Sequence, residues 1–442
     1  VTPVLDFTNR MNVLNPSKIK SLYHSQFLLS RSIIVVSASM MGNVFAYLFQ
    51  LISGRYFAIE EYAILVSLFS LTSIIPLILT IFINGIPKLV AEIKDDNYPH
   101  RVSALFNSLA TINTFITAII IAGFFMTRNQ ISEYLHIENI SLINIYLITI
   151  AVNLITITVN PFLQGLMRFK AYSFISISGY FLRFVVAGLV AIMGLGLIHT
   201  FGGLFIASIV MAAGGVFLLK KNINFGFKDF SFFDMKTLVK YSMGGAFATV
   251  GISLLQNVDI LLVKHFFEES LAGIYSSTSV IGRIIFFAAS PVGIVMLPIC
   301  AKKYKNNENF MKPFLASLGL TVLIAGSFLF VYWAVPELVI KVLFGVKHMA
   351  AKDYLLSYGL FMFIFSLLNI TALFLISISE FTLSAFPLIA AGLQYIGIHR
   401  YNSDLHSVIY TSIFSILISF GILIISIFFK KKLWLINSLK KR

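Results

Sequence analysis

Long apolar stretches alternate with short polar segments along almost the whole chain. A helix of about 20 apolar residues crosses the hydrocarbon core of a membrane, which is about 30 Å thick. Residues 382–399 form the shortest stretch of this kind, and Pro387, Gly392 and Gly397 dilute its apolar character. The pattern predicts twelve transmembrane helices, at residues 27–52, 60–87, 103–127, 139–163, 172–195, 198–219, 238–263, 272–299, 313–335, 352–377, 382–399 and 405–429.

The longest polar connection inside the chain divides these helices into two sets of six. It covers residues 220–237 and is expected to be a cytoplasmic linker. The sequence thus predicts an all-α integral membrane protein with two six-helix bundles around a central cavity. The expected units are a cytoplasmic segment at 1–26, the first bundle at 27–219, the second at 238–429 and a basic cytoplasmic tail at 430–442.

The two predicted bundles share a pattern. Aligning Arg55-Tyr56-Phe57 with His265-Phe266-Phe267 places Ala63-Ile64 over Gly273-Ile274. In each half, a helix leads through a short polar hairpin into a long helix, which has a proline near its inner end and a basic loop behind it. Because each half has an even number of helices, the halves are expected to be parallel repeats related by an axis along the membrane normal.

Composition points to a membrane protein and excludes a soluble catalytic domain. Of the 442 residues, 58% are hydrophobic and only 12% are charged, whereas a soluble domain has roughly 25% charged residues. The single cysteine, Cys300, excludes an internal disulfide and every cysteine-based metal site. Residues 1–26 lack the short apolar core of a cleaved signal peptide, so none is expected.

The formal charge of +15 is explained by the orientation of the chain in the membrane rather than by nucleic-acid binding, because the basic residues lie in short loops and at the C-terminus. With the N-terminus in the cytoplasm, inner segments carry 24 of the 33 lysines and arginines and outer segments carry 7. The remaining two, Arg183 and Arg283, lie inside predicted spans. Cytoplasmic loops are enriched in Lys and Arg, so both termini are expected on the cytoplasmic side.

Arg183 and Arg283 are candidate substrate-binding residues. An arginine at the centre of a membrane helix costs about 2.5–3.5 kcal/mol on insertion scales, so each is expected to face a cavity or a partner. One interpretation is a water-filled cavity between the bundles that holds an anionic substrate, since a guanidinium binds phosphate in a bidentate manner. The alternative is a structural charge that pairs with a carboxylate or a helix carbonyl and locks helices together.

Arg31 and Asp259 are further candidates. Arg31 lies about one turn inside the first span and is expected to bind substrate at the cavity mouth, unless its side chain extends to the membrane interface instead. Asp259, near the outer end of the seventh span, is a candidate ion-coupling residue; a local ion pair with Lys264 is the competing interpretation. Gly54 and Arg55, in the first hairpin, are interpreted as part of a solvated turn.

Motifs of catalysis are missing from the sequence. GxxxxGK[ST], HExxH and GxSxG do not occur, and the eight histidines show no metal-ligand spacing. The chain is therefore not expected to be an enzyme or to hold a metal or a cofactor. Prolines within the spans, such as Pro76 and Pro291, are expected to bend helices, either as static kinks or as hinges.

Short motifs recur at matching places in the two halves. In the second half these motifs are Asp259-Ile260-Leu261-Leu262-Val263, Ala272-Gly273-Ile274-Tyr275, Ile281-Gly282-Arg283 and Pro298. In the first half they are Ser53-Gly54-Arg55-Tyr56-Phe57, Glu61-Tyr62-Ala63 and Gly85-Ile86-Pro87. These residues resemble the polysaccharide biosynthesis flippases of the multidrug, oligosaccharidyl-lipid and polysaccharide exporter superfamily. The resemblance covers nearly the whole chain and implies a MATE-like transporter fold with two six-helix bundles.

The resemblance implies alternating-access translocation of an undecaprenyl-pyrophosphate-linked oligosaccharide repeat unit across the bacterial inner membrane, for O-antigen or capsule biosynthesis. Members of this family bind their cargo in a cationic cavity, and Arg31 and Arg283 match its arginines by span and approximate depth only. The implied partners are the lipid-linked oligosaccharide, membrane lipids and a polysaccharide polymerase of the same pathway, with no nucleic acid. The superfamily also implies coupling to a sodium or proton gradient. The two additional helices of the lipid II flippases are not predicted here, which argues against that branch.

Two other functions compete with this interpretation. A multidrug or organic-cation exporter of the same superfamily would need carboxylates in its cavity, whereas the predicted spans hold two arginines and few acidic residues. A membrane-embedded glycan polymerase or ligase would carry a large outer loop, but the longest outer connection predicted here covers only residues 336–351.

Overall fold

The structure is a computed structural model that describes residues 37–93, 98–220, 222–223 and 232–440. Within these ranges the chain folds into helices joined by short connections, with no β-strand. Apart from one turn of helix at Thr80–Ile83, the described helices of the first half are α1 (37–56, described from residue 37 on), α2 (Ile59–Ile74), α3 (Ile86–Glu92), α4 (Tyr98–Tyr134), α5 (Ile140–Gly165), α6 (Phe169–Met193) and α7 (Leu197–Leu219).

The second half has the same long-helix organisation with more elaborate connections. A 3-10 segment at Val346–Ala351 and one turn of helix at Phe381–Ser384 lie between its longer helices. These helices are α8 (Phe232–Phe266), α9 (Glu269–Lys305), α10 (Met311–Ala334), α11 (Pro336–Leu343), α12 (Lys352–Ser377), α13 (Phe386–Arg400) and α14 (Leu405–Lys440).

Eleven helical segments of the described residues are long and apolar enough to cross a membrane. Helix α1 occupies the described part of the first predicted span, 27–52, whose other residues lie outside the described ranges. The prediction of an all-α membrane protein with twelve transmembrane helices in two six-helix bundles is confirmed.

Some helices extend beyond their predicted limits. Helix α8 begins at Phe232, inside the predicted linker 220–237, and α14 continues to Lys440 through most of the predicted tail. Helix α9 ends at Lys305, with three lysines in its last turn. Cations stabilise the C-terminal end of a helix, so this helix persists after the apolar pattern has ended.

The two hairpins have the same backbone geometry. The residue before α2, Ala58, has φ −59° and ψ 159°, and the residue before α9, Glu268, has φ −58° and ψ 153°. The amides of Phe57 and Phe267 each donate to the carbonyl four residues earlier, at 3.0 Å in both hairpins. This agreement supports the alignment of Phe57 with Phe267 and hence the internal repeat.

The first half contacts the second half mainly through α2, which packs against α8 and α9. The contact is closest at Gly273 on α9, where an added Cβ would lie 2.2 Å from the backbone oxygen of Ile59. Only a glycine permits this approach. The alignment pairs Gly273 with Ala63, which is itself buried, so small residues lie at the same place in both repeats.

Helix α2 changes form near the middle of the predicted span 60–87. After Ile74 the chain continues as a 3-10 segment, Ile75–Leu79, which contains Pro76. Proline lacks the N–H needed for the α-helical hydrogen bond to the residue four positions earlier, which explains the change at this point. The bend predicted at Pro76 therefore corresponds to a local change of helix type.

Candidate functional site

A polar cavity of about 500 Å³ lies among α1, α2, α5, α6 and α7 of the first half. Its lining is rich in hydroxyl and amide groups, and Pro76 contributes to its wall. Arg183 is the one charged residue among the lining residues. The cavity therefore provides many neutral hydrogen-bonding groups and a single positive charge.

One face of α5 supplies a row of polar groups to this cavity. Tyr146, Thr149, Asn153, Thr156 and Asn160 all line it, and their spacing of three or four residues places them on one side of a helix. Over these residues the row is about 20 Å long, at 1.5 Å per residue. We refer to these five residues as the α5 polar stripe.

Helix α6 faces the stripe with aromatic and basic groups. Tyr172, Ser176, Tyr180 and Arg183 line the same cavity. The Arg183 guanidinium carbon lies 5.7 Å from the centre of the Tyr180 ring, a distance at which a cation and an aromatic ring attract each other. Arg183 makes no ion pair with any described residue. Its charge is therefore not neutralised by a described carboxylate. Arg183 lines a cavity within the first half rather than one between the two bundles as predicted, and binding of cargo by Arg183 stays a prediction.

Tyr146 marks the end of the stripe nearest Arg183. Its hydroxyl forms a hydrogen bond of 2.5 Å with the Thr72 hydroxyl on α2, and it lies within electrostatic range of Arg183. Because α5 and α6 run antiparallel through the short connection after Gly165, Asn160 lies toward the opposite end of the cavity. The cavity thus has a charged end and a neutral end.

The second predicted arginine, Arg283, does not line this cavity. It is half-buried on α9, and its guanidinium donates a hydrogen bond to the backbone carbonyl of Gln256 on α8. Its charge lies within electrostatic range of the Asp259 carboxylate, although the described residues include no salt bridge between the two. This geometry corresponds to the structural alternative set out above, and binding of cargo by Arg283 stays a prediction.

Asp259 is fully buried among tyrosines. Its Oδ2 accepts hydrogen bonds from the hydroxyls of Tyr275, at 2.8 Å, and Tyr358, at 3.0 Å. The alternative of an ion pair with Lys264 is wrong, because the Lys264 ammonium pairs with Glu269 at 3.1 Å. Five residues separate Asp259 from Lys264, which places the two side chains on different faces of the helix. A coupling role for Asp259 stays a prediction.

An apolar groove runs between the two halves beside the cavity. It has a volume of about 460 Å³ and is lined by residues of α1, among them Met40 and Val44, and by Ile284 and Phe287 of α9. Asn43 on α1 lines both the groove and the polar cavity. The two spaces therefore both adjoin α1, with Asn43 at their border. Arg31 lies outside the described residues, so its predicted place at the cavity mouth stays a prediction.

The two halves are fastened together on the face of the molecule that carries the hairpins. Arg55 donates to the carbonyl oxygens of Leu343, at 3.0 Å, and Val342. In the reverse direction, Lys347 donates to the carbonyl of Phe57. We call these residues, with Gly54 and His348, the hairpin-face clasp.

Gly54 is the tightest point of the clasp. Its carbonyl oxygen lies 3.0 Å from Nε2 of the buried His348. A Cβ added to Gly54 would lie 2.2 Å from the buried ring of Phe344. The interpretation of a solvated turn is therefore wrong for Gly54, which is buried, whereas Arg55 is exposed to solvent and also contacts the second half.

A second link joins the halves on the same face. The rings of Tyr134, at the end of α4, and His265, at the end of α8, are stacked with centroids 3.8 Å apart. Nδ1 of His265 also lies 2.9 Å from the carbonyl oxygen of Tyr134. The hairpin face is thus closed in this structure by contacts at two separate places.

Substituting Gly54 by Val is expected to open the hairpin face. The new side chain would occupy the space of the Phe344 ring, so the clasp cannot close without moving that ring. We expect spin labels at the exposed residues Glu138 and Lys341 to gain a population at longer distance, measured in a Cys300→Ala background that removes the single native cysteine.

Gly123→Val is the matched control for this measurement. Gly123 lies within α4, and a Cβ there would meet no atom within 4 Å. The distance distribution of this variant should equal that of the parent. Equal distributions for the Gly54 variant and the parent would show that the clasp does not hold the face closed.

The fold defines the class of protein. The structure is similar to an inward-facing multidrug resistance MATE family transporter, with a TM-score of 0.72 and 14% identity over 90% of this chain and 99% of that one. It is also similar to the lipid II flippase MurJ in an inward closed conformation, with a TM-score of 0.69 and 14% identity over 89% of this chain and 87% of that one. The chain therefore has the fold of these transporters.

The family follows from the sequence. A family model described as polysaccharide biosynthesis protein matches residues 55–353, more than half of the chain. The chain belongs to this family, so the resemblance drawn from its motifs is confirmed. A further relative is an uncharacterized membrane protein of Methanocaldococcus jannaschii, which is 26% identical over 61% of this chain and 67% of its own length.

Proposed function

We propose that the protein is a flippase for a lipid-linked oligosaccharide. The observation that carries the proposal is the lining of the first-half cavity, which combines hydroxyl and amide groups with one arginine and no carboxylate. Sugars offer hydroxyl groups for hydrogen bonding, and a phosphate group offers oxygen atoms to a guanidinium. The membership of the polysaccharide biosynthesis family supports the same cargo.

The physical task of such a flippase suits this architecture. The sugars and phosphates of the cargo must cross a hydrocarbon core about 30 Å thick, where unpaired polar groups are costly. A polar cavity inside the first half shields them. The apolar groove between α1 and α9 shares Asn43 with this cavity, and it would let a polyprenyl chain stay in contact with lipid.

In its finer form, the proposed cargo is an undecaprenyl-pyrophosphate-linked repeat unit for O-antigen or capsule biosynthesis in a bacterial inner membrane. The excess of basic residues on one side supports cytoplasmic termini and an outward hairpin face. Transport would proceed by alternating access, with Arg31, Arg183 and Arg283 as cargo-binding residues. Asp259 would couple transport to a sodium or proton gradient, and a polysaccharide polymerase would receive the product.

An organic-cation exporter is the competing function, since the fold is shared with a multidrug transporter. A cationic drug would favour carboxylates in the cavity. The lining residues of the described cavity include none, and Arg183 would repel such a cargo. Charge therefore favours the anionic cargo.

Reconstitution in liposomes tests the proposed function. Fluorescent polyprenyl diphosphate carrying a disaccharide should become accessible to an impermeant quencher faster with the protein than in protein-free liposomes. Ethidium uptake should be equal in the two preparations. The opposite pattern, ethidium transport without movement of the sugar lipid, would contradict the proposal and favour the exporter.

A further inference from the structure

The α5 polar stripe carries more hydrogen-bonding capacity than the protein itself uses. The hydroxyl of Thr156 and the side-chain oxygen of Asn160 are buried and have no hydrogen-bond partner among the described residues. At Asn153, Ser208 donates to the side-chain oxygen at 3.2 Å. The same hydroxyl lies 2.8 Å from the carbonyl oxygen of Leu204, so its single proton serves one acceptor or the other, and the NH₂ group of Asn153 is left as a donor. A buried polar group without a partner costs about 1–3 kcal/mol. The presence of several such groups along one face of α5 therefore calls for a functional explanation.

The chemistry of the stripe indicates the kind of ligand that would satisfy it. Amides and hydroxyls both donate and accept hydrogen bonds and carry no charge. They match a neutral ligand rich in hydroxyl groups better than they match a cation, an anion or a hydrocarbon. The volume of about 500 Å³ lies in the range of small-molecule sites, which suits a few sugar units rather than a polymer.

The position of Arg183 orders the ligand along the cavity. Arg183 lies near Tyr146, at one end of the stripe, whereas Thr156 and Asn160 lie toward the other. A ligand with an anionic group at Arg183 would therefore place its uncharged part along Asn153, Thr156 and Asn160. These three residues would then contact the portion of the cargo that differs from one glycan to another.

We infer that Asn153, Thr156 and Asn160 form the sugar subsite and determine which sugar is accepted, while Arg183 binds the diphosphate. The inference rests on the proposed function and deepens it. It divides the cavity into a part common to all diphosphate lipids and a part selective for the sugar. Substitutions in the sugar part should change the affinity for sugar-bearing lipids alone, whereas loss of Arg183 should weaken binding of every diphosphate lipid.

Binding measurements with the purified full-length protein test this division. The probes are farnesyl diphosphate without sugar and farnesyl diphosphate bearing glucose, galactose or N-acetylglucosamine. The wild type is expected to bind the sugar-bearing probes, taken as a set, more tightly than the bare diphosphate. Asn153→Leu and Asn160→Leu should each lower affinity for the best sugar-bearing probe about tenfold, the effect of losing hydrogen bonds worth about 1.4 kcal/mol. Affinity for the bare diphosphate should not change.

Asn144→Leu is the matched control, because Asn144 lies on the same helix but does not line the cavity. Nine residues separate it from Asn153, which places it on the opposite side of α5. This variant should bind every probe as the wild type does. Thr156→Val, which removes one hydroxyl and keeps the side-chain shape, replaces the asparagine variants if these do not fold, and it should show the same selective loss.

The outcomes separate the inference from the proposed function. Variants that weaken all probes equally, or none, would overturn the sugar subsite. A wild type that binds the bare and the sugar-bearing diphosphates equally would also overturn it, while a diphosphate-lipid cargo would stand. A wild type that binds no diphosphate probe at all would instead contradict the proposed function.

Discussion

Replacing Arg183 by Ala is expected to abolish transport of a diphosphate-linked glycan while the protein still inserts and folds. Arg183 is the single charge in the lining of the first-half cavity. Removing one partner of a buried, hydrogen-bonded charge pair costs about 2 kcal/mol or more, which corresponds to a loss of affinity of roughly thirtyfold or more. Liposome transport of the fluorescent sugar lipid, together with export in a flippase-deficient strain, measures the effect.

Arg128→Ala is a closely matched control for this experiment. Arg128 also lies over an aromatic ring three residues earlier in its helix, with its guanidinium carbon 4.2 Å from the centre of Phe125. It does not line the cavity. Its removal tests the general effect of losing an arginine stacked on a ring, and transport should stay near the wild-type rate. Wild-type transport by the Arg183 variant would refute a cargo role for this residue.

Removing Arg283 is expected to have two separable effects. The first is on stability, because Arg283→Ala leaves the buried Asp259 carboxylate without its nearby positive charge. Among the described residues no salt bridge within 4 Å joins the two groups, so the variant loses a longer-range attraction, and the thermal unfolding temperature should fall measurably. The second effect is loss of glycan export if Arg283 binds cargo as predicted.

A double substitution distinguishes these effects. Arg283→Ala combined with Asp259→Asn removes both charges and keeps an oxygen that accepts hydrogen bonds from Tyr275 and Tyr358. Its unfolding temperature should recover toward that of the wild type, while transport should stay absent, because the variant lacks both the proposed cargo-binding arginine and the proposed coupling carboxylate. Recovered transport in the double variant would show that Arg283 only balances the charge of Asp259. Full export by Arg283→Ala alone would exclude the cargo role directly.

The sequence predicted the fold well because a membrane makes strong demands on sequence pattern. A helix that crosses lipid must be apolar over about 20 residues. The twelve predicted spans can therefore be recognised as long apolar stretches of the sequence. Helix ends were predicted less well. Helix α8 begins at Phe232 rather than at residue 238, because outside the hydrocarbon core a helix no longer needs an apolar sequence.

The site was predicted only in part. Arg183 was visible because a charge in an apolar span is conspicuous, and the structure places it in a cavity. The stripe that includes Asn153, Thr156 and Asn160 was missed, although its three- and four-residue spacing inside the span 139–163 was available as a signal. The partners of Asp259 were beyond prediction, since Tyr275 and Tyr358 come from other helices and only the folded packing brings them together.

The hydrogen bonds of the hairpin-face clasp go from side chains to main-chain oxygens. Arg55 and Lys347 donate to carbonyls of Leu343, Val342 and Phe57, and Arg55 and Leu343 are 288 residues apart. Every residue type has a carbonyl, so the acceptor positions are free to vary during evolution without losing the bonds. We therefore expect correlated substitutions between these positions to be weak among relatives, and a search for coevolving pairs to underestimate how firmly the two halves are joined on this face.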